Sequence, residues 1–125
     1  MTTQEAVMTT QAIASRLTEL CQQSAWEQAQ TELFSDDAQS IEPPNAPGMH
    51  SVEGLDNIIQ KGRQFQSMVE QVHGGSVQGP LVAGNRIALS IILDVTMKGA
   101  GRMKMEEIAV YEVKDGKIVK EQFFF

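Results

Sequence analysis

The segment LFSDDAQSIEPP, residues 33–44, decides how the chain is organised. An amphipathic helix is expected to end at Ser35-Asp36-Asp37, because short polar side chains compete there for backbone hydrogen bonds. Gln39 to Glu42 then forms a short predicted strand, which the two following prolines end because proline has no N–H for a β-ladder. The segment therefore delivers one carboxylate, that of Glu42, to the interior.

Two helices are predicted before this segment. From Gln11 onward one apolar stripe recurs at helical spacing. It consists of Ile13, Leu17, Leu20 and Cys21. Ser24 and Glu27 are spaced as a capping box, so a second helix is expected to begin there. Its inward residues are Trp26, Ala29, Leu33 and Phe34. The two helices should form a hairpin.

A third helix is predicted after the proline-rich loop, with Ser51 as its cap. Its apolar face is Leu55, Ile58, Ile59, Gly62, Phe65 and Val69. A glycine inside a helix costs about 1 kcal/mol relative to alanine. Gly62 on the apolar face therefore predicts a close approach to another backbone, which we expect to be the sheet.

Alternating apolar and polar residues predict strands in the second half of the chain. Gln71 to Gln78 is a predicted strand with turns after it at Gly79-Pro80 and at residues 83–85. Further strands are expected at residues 86–97, 102–113 and 117–125. Helices followed by antiparallel strands with short turns indicate an α+β domain, with the helices packed on one face of a mostly antiparallel sheet.

Composition narrows the class of protein. A chain of 125 residues with 42% hydrophobic content fits one domain, residues 1–125. Met1 to Thr10 is polar, with Thr2 and Glu5 spaced as a further capping box, and its order is left open. The net charge of -6 argues against nucleic acid and membrane surfaces as partners. A lone cysteine and an amino terminus unlike a signal peptide predict a cytoplasmic protein.

The order of elements, the segment 33–44 and the sequence DGKIVKEQFF at residues 115–124 together resemble the nuclear-transport-factor-2-like superfamily, and within it the SnoaL-like proteins. The resemblance implies a curved sheet wrapped around three helices into a cone with an apolar cavity, and a homodimer packed through the sheets. Relatives include isomerases, polyketide cyclases, hydrolases and non-catalytic binding modules, so the fold alone does not define the function.

The resemblance also bears on single residues. Glu42 matches the aspartate that shuttles the proton in ketosteroid isomerases of this fold. The positions of their oxyanion-hole tyrosine and protonated aspartic acid are Leu17 and Ala109 here. Such hydrogen-bond donors are typically worth about 2.7–4 kcal/mol each in the transition state. Steroid isomerisation by that mechanism is therefore not expected.

Glu107 is the second predicted catalytic carboxylate. On a regular strand it shares a face with Met103, Met105, Ala109 and Tyr111. Desolvation on that face should raise its pKa toward the range that a general acid or base needs. The alternatives are an ion pair with Arg63 or Arg86, or a bulge that turns Glu107 to solvent. For Glu42 the alternative is a surface position at a strand end.

The predicted ligand-binding residues are Met49, His50, Phe65, Met105, Tyr111 and Glu121. His50 is interpreted as a lid residue. For Glu121 an edge or dimer-surface position is favoured over an inward one. Met103 is assigned either to an adaptable lining with Met49 and Met105 or to core filling under the helices.

Neither a metal nor a cofactor is expected, because neither histidine has a partner at metal-ligand spacing. The leading hypothesis is binding of a small apolar carbonyl-type molecule, with acid–base catalysis of the isomerase, cyclase or hydratase kind by Glu42 and Glu107. The alternatives are a non-catalytic ligand-binding or dimeric interaction module, and a structural dimer whose cone is filled by its own side chains.

Overall fold

The computed structural model describes residues 7–46 and 48–125, which form three helices and six strands. The helices are α1 (Thr10–Gln22), α2 (Trp26–Leu33) and α3 (Leu55–Met68). The strands are β1 (Phe34–Ile41), β2 (Val52–Glu53), β3 (Val69–Ala83), β4 (Arg86–Met97), β5 (Gly101–Lys114) and β6 (Lys117–Phe124). None of the described helices has the length and apolar character needed to cross a membrane.

The described strands form one curved sheet in the order β2-β1-β6-β5-β4-β3. All neighbouring strands are antiparallel except β1 and β6, which run parallel. Helix α1 packs on β3 and β4, and α3 packs on β1, so the core lies between the helices and one sheet face. The predicted α+β class with helices on a mostly antiparallel sheet is confirmed.

The predicted stripe on α1 is confirmed as a core face. Ile13, Leu17, Leu20 and Cys21 are all at most 3% exposed. Burial raises the pKa of the Cys21 thiol to about 12, with a further contribution from the charge of Glu121. The thiol therefore stays protonated and packs as a small apolar side chain.

Two of the three predicted helix caps are wrong, and the third lies outside the described residues. Ala25 precedes α2 and no side chain caps that helix, while Ser24 adopts a left-handed φ of 58°. Gly54 likewise precedes α3 without a side-chain cap. The Ser51 hydroxyl instead accepts a hydrogen bond from the Glu42 backbone N–H at 3.0 Å, because the loop folds back on the strand end. The capping box at Thr2 and Glu5 falls among residues 1–6. Helix α1 is capped by Thr9, which accepts from the Ala12 N–H.

The predicted turn at residues 35–37 is also wrong, and the strand predicted at 39–42 begins earlier than expected, since β1 runs without interruption from Phe34 to Ile41. Pairing with β6 at Phe34 and again from Gln39 to Ile41 fixes the chain on both sides of Asp36 and Asp37, which are exposed, and overrides their local turn preference. The register between β1 and β6 shifts between Phe34 and Gln39, so the polar residues occupy an irregular part of the strand.

Three glycine positions correct or sharpen the predictions. Gly79-Pro80 lies inside β3 at a register shift rather than in a turn, so β3 is one long strand. A Cβ on Gly62 would lie 3.9 Å from the Gln30 side chain, so this glycine faces α2 and not the sheet. A Cβ on Gly75 would lie 2.6 Å from the Ile92 carbonyl oxygen, which explains why a residue without a side chain is needed there.

Candidate functional site

A cavity of about 950 Å³ lies between α2 and α3 on one side and the inward face of the sheet on the other. Its wall is mostly apolar and includes residues from α2, α3, the loop after β1, and β3 to β6. Five of the seven aromatic residues of the chain line it. They are Trp26, Phe65, Tyr111, Phe123 and Phe125. The size and apolar character are those of a small-molecule pocket.

Helix α3 directs a lysine into this cavity. Lys61 follows Ile58 by three residues and precedes Phe65 by four, so all three share one helix face. Its Nζ lies 3.0 Å from Glu42 Oε2, with the two side chains only 9% and 5% exposed. Nζ also lies 5.8 Å from the centre of the Phe123 ring. Glu42 is thus a buried member of an ion pair and not the surface residue of the alternative reading.

A serine continues this polar cluster toward the last strand. Lys61 Nζ donates to Ser40 Oγ at 2.6 Å, and Ser40 Oγ donates to Glu121 Oε2 at 2.7 Å. Ser40 and Glu121 face each other because β1 and β6 are parallel neighbours with these residues in register. Glu42, Lys61, Ser40 and Glu121 therefore form one continuous hydrogen-bonded chain, in which Ser40 is fully buried and the other three side chains line the cavity.

Glu121 is buried in this wall at 4% exposure, so the favoured edge or dimer-surface position was wrong. Parallel pairing with β1 encloses β6 and turns this face inward. Burial raises the pKa of Glu121 to about 7, while the hydrogen bond from Ser40 and the charge of Lys61 lower it and Glu42 raises it.

Among the buried carboxylates of the wall, Glu107 is the one whose negative charge is least compensated by hydrogen bonds or nearby cations. Burial raises its pKa to about 7, and repulsion from Glu42 and Glu121 adds to this, while the charge of Lys61 acts in the opposite direction. The predicted alternative of a pair with Arg63 is wrong, because Arg63 binds Glu27 through contacts of 2.8 and 3.1 Å. Glu107 also remains in regular register opposite Ile91, without the bulge considered above.

Tyr111 lies on the same face of β5 and faces Glu121 across the strand pair. Its ring packs edge-on against Phe34, with centroids 6.4 Å apart. Burial raises the pKa of its hydroxyl well above the usual value, and nearby Glu121 adds to this, so the hydroxyl stays protonated. None of the described residues hydrogen-bonds it, and no enclosed side-chain nitrogen or oxygen among them lacks a partner, so the hydroxyl opens to the cavity.

Seven of the eight predicted site residues lie in the cavity wall. They are Glu42, Met49, Phe65, Met105, Glu107, Tyr111 and Glu121. His50 is not among the lining residues and is exposed, although its neighbour Met49 in the same loop lines the cavity. Met103 is also outside the wall at 36% exposure, because residues 101–104 of β5 are all exposed. The functional roles of the seven stay predictions.

Two residues of the polar cluster were missed from the sequence. Lys61 had a readable signal, since it falls on the apolar face of α3 between Ile58 and Phe65. Ser40 had no such signal in the sequence, because its hydrogen bond to Glu121 depends on the pairing of β1 with β6. Leu17 and Ala109, which the resemblance predicted to take the positions of the ketosteroid isomerase donors, are core residues outside the cavity wall. Within residues 7–46 and 48–125, no three histidine, cysteine or acidic side chains are grouped as metal ligands.

Comparison with known proteins places this geometry in a family. Residues 8–125 match the family model of the SnoaL-like domain. A solved structure from Mesorhizobium loti, provisionally named a SnoaL-like polyketide cyclase and also a carbohydrate phosphatase, is 39% identical. The match covers 94% of this chain and 100% of that one, with a TM-score of 0.88. No curated protein matches the sequence.

More distant structures share the fold alone. An NTF2-like protein of Burkholderia thailandensis is 16% identical over 94% of this chain and 90% of its own, with a TM-score of 0.79. A protein of Xanthomonas campestris with a cystatin-like fold is 17% identical over 94% and 90%, with a TM-score of 0.77. A ketosteroid isomerase-like fold is named for another such structure, from Catenulispora acidiphila. The resemblance predicted from residues 33–44 and 115–124 is confirmed.

Proposed function

The chain belongs to the SnoaL-like family, and within it we propose that this protein binds a small apolar carbonyl compound in the cavity and moves a proton on it by acid–base catalysis. The reaction class is isomerisation, cyclisation or addition of water. Each of these reactions includes proton transfer next to a polarised carbonyl group.

The observation that carries the proposal is Glu107, a carboxylate in an apolar cavity wall whose pKa is raised to about 7. A general base works best when its pKa lies near the operating pH, because it is then ionised in part and still basic. Glu107 would accept the proton from the carbon next to the carbonyl and return it to another carbon, or to the same molecule after ring closure.

Glu42 supports this step through Lys61. Its buried ion pair holds the Lys61 ammonium beside Ser40, and its negative charge contributes to the raised pKa of Glu107. Negative charge that develops on a substrate oxygen would be stabilised by hydrogen-bond donors in the wall. These donors are Lys61, the Tyr111 hydroxyl and protonated Glu121. These donors stand on the sheet and on α3, not at the positions of Leu17 and Ala109.

Deuterium uptake tests the catalytic proposal without knowledge of the product. A panel of apolar ketones is incubated with the protein in D₂O, and exchange next to the carbonyl is followed by NMR. Glu107→Gln should slow protein-dependent exchange at least about 100-fold, which is the lower end of general-base contributions. The matched control is Glu106→Gln, an exposed neighbour on the opposite face of β5. Equal exchange by wild type and Glu107→Gln would remove Glu107 from the mechanism.

The second candidate function is non-catalytic binding of the same kind of molecule. It is favoured by the apolar residues at the two positions where ketosteroid isomerases carry their oxyanion donors, Leu17 and Ala109. Saturable ligand binding without any protein-dependent exchange across the panel would select this alternative.

The assembly and location of the protein are proposals as well. We propose a homodimer packed through the outward sheet face, where Ile108 and Phe124 are 44% and 49% exposed and lie opposite each other on β5 and β6. The family expectation supports this arrangement. A cytoplasmic location is proposed from the lone cysteine of the sequence.

A further inference from the structure

The cavity wall contains more acidic than basic side chains. Four carboxylates line the cavity, those of Glu27, Glu42, Glu107 and Glu121, together with the cations Lys61 and Arg63. Arg63 binds Glu27 at 2.8 Å, and Lys61 binds Glu42 at 3.0 Å. Both cations of the lining are thus committed to partners, which leaves Glu107 and Glu121 without a cation of their own.

The two remaining carboxylates differ in their surroundings. Glu121 accepts the Ser40 hydroxyl hydrogen, and Ser40 is in turn bound by Lys61, so part of its charge is compensated. Glu107 makes no hydrogen bond with the described residues and is influenced by Lys61 only through its charge. An ionised carboxylate in an apolar wall is stabilised by an opposite charge brought close to it.

The rest of the wall is also suited to a positive group. Aromatic ring faces attract cations, and the Phe123 ring already lies under the Lys61 ammonium. Trp26, Phe65 and Phe125 add three further aromatic side chains to the lining. The Tyr111 hydroxyl, on a side chain only 3% exposed and without a partner among the described residues, can accept a hydrogen bond from an N–H group.

We infer that the ligand of this cavity is an apolar organic cation, whose ammonium nitrogen lies against Glu107 and whose hydrocarbon part contacts the aromatic side chains. An anionic ligand would be repelled by the surplus of carboxylates, and a neutral one would gain no charge attraction from ionised Glu107. The inference rests on the binding part of the proposed function and names its substrate class. In the catalytic reading, the carbonyl compound would also carry this ammonium group, whose positive charge would make the proton of the reacting C–H bond more acidic.

The sole tryptophan of the chain, Trp26, lines the cavity and provides a fluorescence signal for binding. Three probes share one hydrocarbon cage and differ in charge: 1-adamantanemethylamine, 1-adamantanemethanol and 1-adamantanecarboxylate. At pH 8 the amine should bind at least about tenfold more tightly than the alcohol, which corresponds to about 1.4 kcal/mol, and the carboxylate most weakly. Equal affinity for the amine and the alcohol would overturn the inference.

Glu107→Gln should weaken amine binding about tenfold and leave alcohol binding unchanged, whereas the matched variant Glu106→Gln should change neither. If Glu107→Gln does not fold, the pH dependence of the wild type replaces it. Amine affinity should then rise as the pH increases through about 7, where Glu107 ionises, while alcohol affinity stays constant.

A pH-independent preference for the amine, or no binding by any of the three probes, would contradict the inference. A different experimental result would contradict the catalytic proposal. Amine binding without deuterium exchange in the ketone panel, extended to aminoketones of the same size, would leave the cationic ligand in place and remove the reaction.

Discussion

Lys61 is the residue on which the polar part of the cavity depends, because it joins Glu42, Ser40 and, through Ser40, Glu121. A buried ion pair is a weak source of stability when compared with well-packed apolar residues, but loss of one partner leaves an uncompensated charge. The charge of Lys61 on the apolar face of α3 is therefore compensated by Glu42 and Ser40 and not by solvent.

Lys61→Met should lower the free energy of unfolding by about 3 kcal/mol at pH 7, because Glu42 would remain buried without its cation. Urea unfolding measures this change. The matched control is Lys104→Met, which removes an exposed lysine paired with Glu106 at 3.7 Å and should cost less than about 0.5 kcal/mol. Similar small losses in both variants would show that the Glu42–Lys61 pair is not buried in solution.

Glu121 should make stability depend on pH. Its pKa rises from 4.5 in the unfolded chain to about 7 in the folded protein. The unfolded state therefore releases its proton first, so the contribution of protonated Glu121 is fully present below pH 4.5 and is lost as the pH rises through about 7. A shift of this size corresponds to a contribution on the order of 3 kcal/mol.

Glu121→Gln should accordingly gain stability relative to the wild type as the pH is raised from about 5 to about 8. Urea unfolding across this range gives the two stability curves. Glu70→Gln, at an exposed site on β3, should run parallel to the wild type. A constant difference between Glu121→Gln and the wild type at all pH values would argue against a raised pKa for this group.

At the scale of elements, β3 and β4 both contribute to the cavity wall and approach each other closely at Gly75. Their pairing includes three register shifts, and β3 carries two consecutive glycines beside β4. The Cβ of a residue at position 75 would lie 2.6 Å from the Ile92 carbonyl oxygen, whereas position 74 has open space around it. The two glycines thus have different roles although they are neighbours in sequence.

Gly75→Ala should destabilise the protein by about 1–3 kcal/mol, because the backbone of β4 must move to admit the methyl group. Gly74→Ala is the matched control and should change stability by less than about 0.5 kcal/mol in either direction. Thermal or urea unfolding of both variants tests the prediction. An equal effect at the two positions would mean that β3 approaches β4 less closely than described.

At the scale of the whole molecule, the inward face of the sheet lines the cavity, and the outward face exposes apolar residues. The inward face of β5 carries Glu107, Ala109 and Tyr111, and the outward face carries Ile108 and Val110 between them. Exposed apolar residues on the outward face mark a surface suited to a partner. A homodimer would cover this surface and leave the cavity on the other face of the sheet.

Ile108→Glu should convert the proposed dimer into a monomer, since it places a charge at the centre of the outward apolar surface. Light scattering after size-exclusion chromatography measures the molar mass. Met68→Glu serves as control, because Met68 has a similar exposure of 42% but belongs to α3 on the other side of the sheet. A monomeric wild type would contradict the proposed dimer directly.

The sequence by itself determined the elements whose pattern is local. The stripe on α1 and the alternation along β4 and β5 follow from hydrophobic periodicity, and they identified the inward face that carries Glu107. The short connection between the strands predicted at residues 102–113 and 117–125 is local as well, since Asp115 and Gly116 form an Asp-Gly pair and both take the positive φ that a tight hairpin turn requires. Residues 33–44 were recognised as the entry of Glu42 into the interior, although their strand boundaries were wrong.

Only the tertiary structure decided which polar residues meet in the cavity. Ser40 and Glu121 are 81 positions apart, and their contact depends on the parallel register of β1 and β6. Neither residue carries a periodic signal for this contact, because a hydrogen bond between distant strands depends on how the strands are placed and not on the order of residues within one of them. The same pairing holds β1 before and after Asp36 and Asp37, so these residues lie in a strand where their local preference predicted a turn.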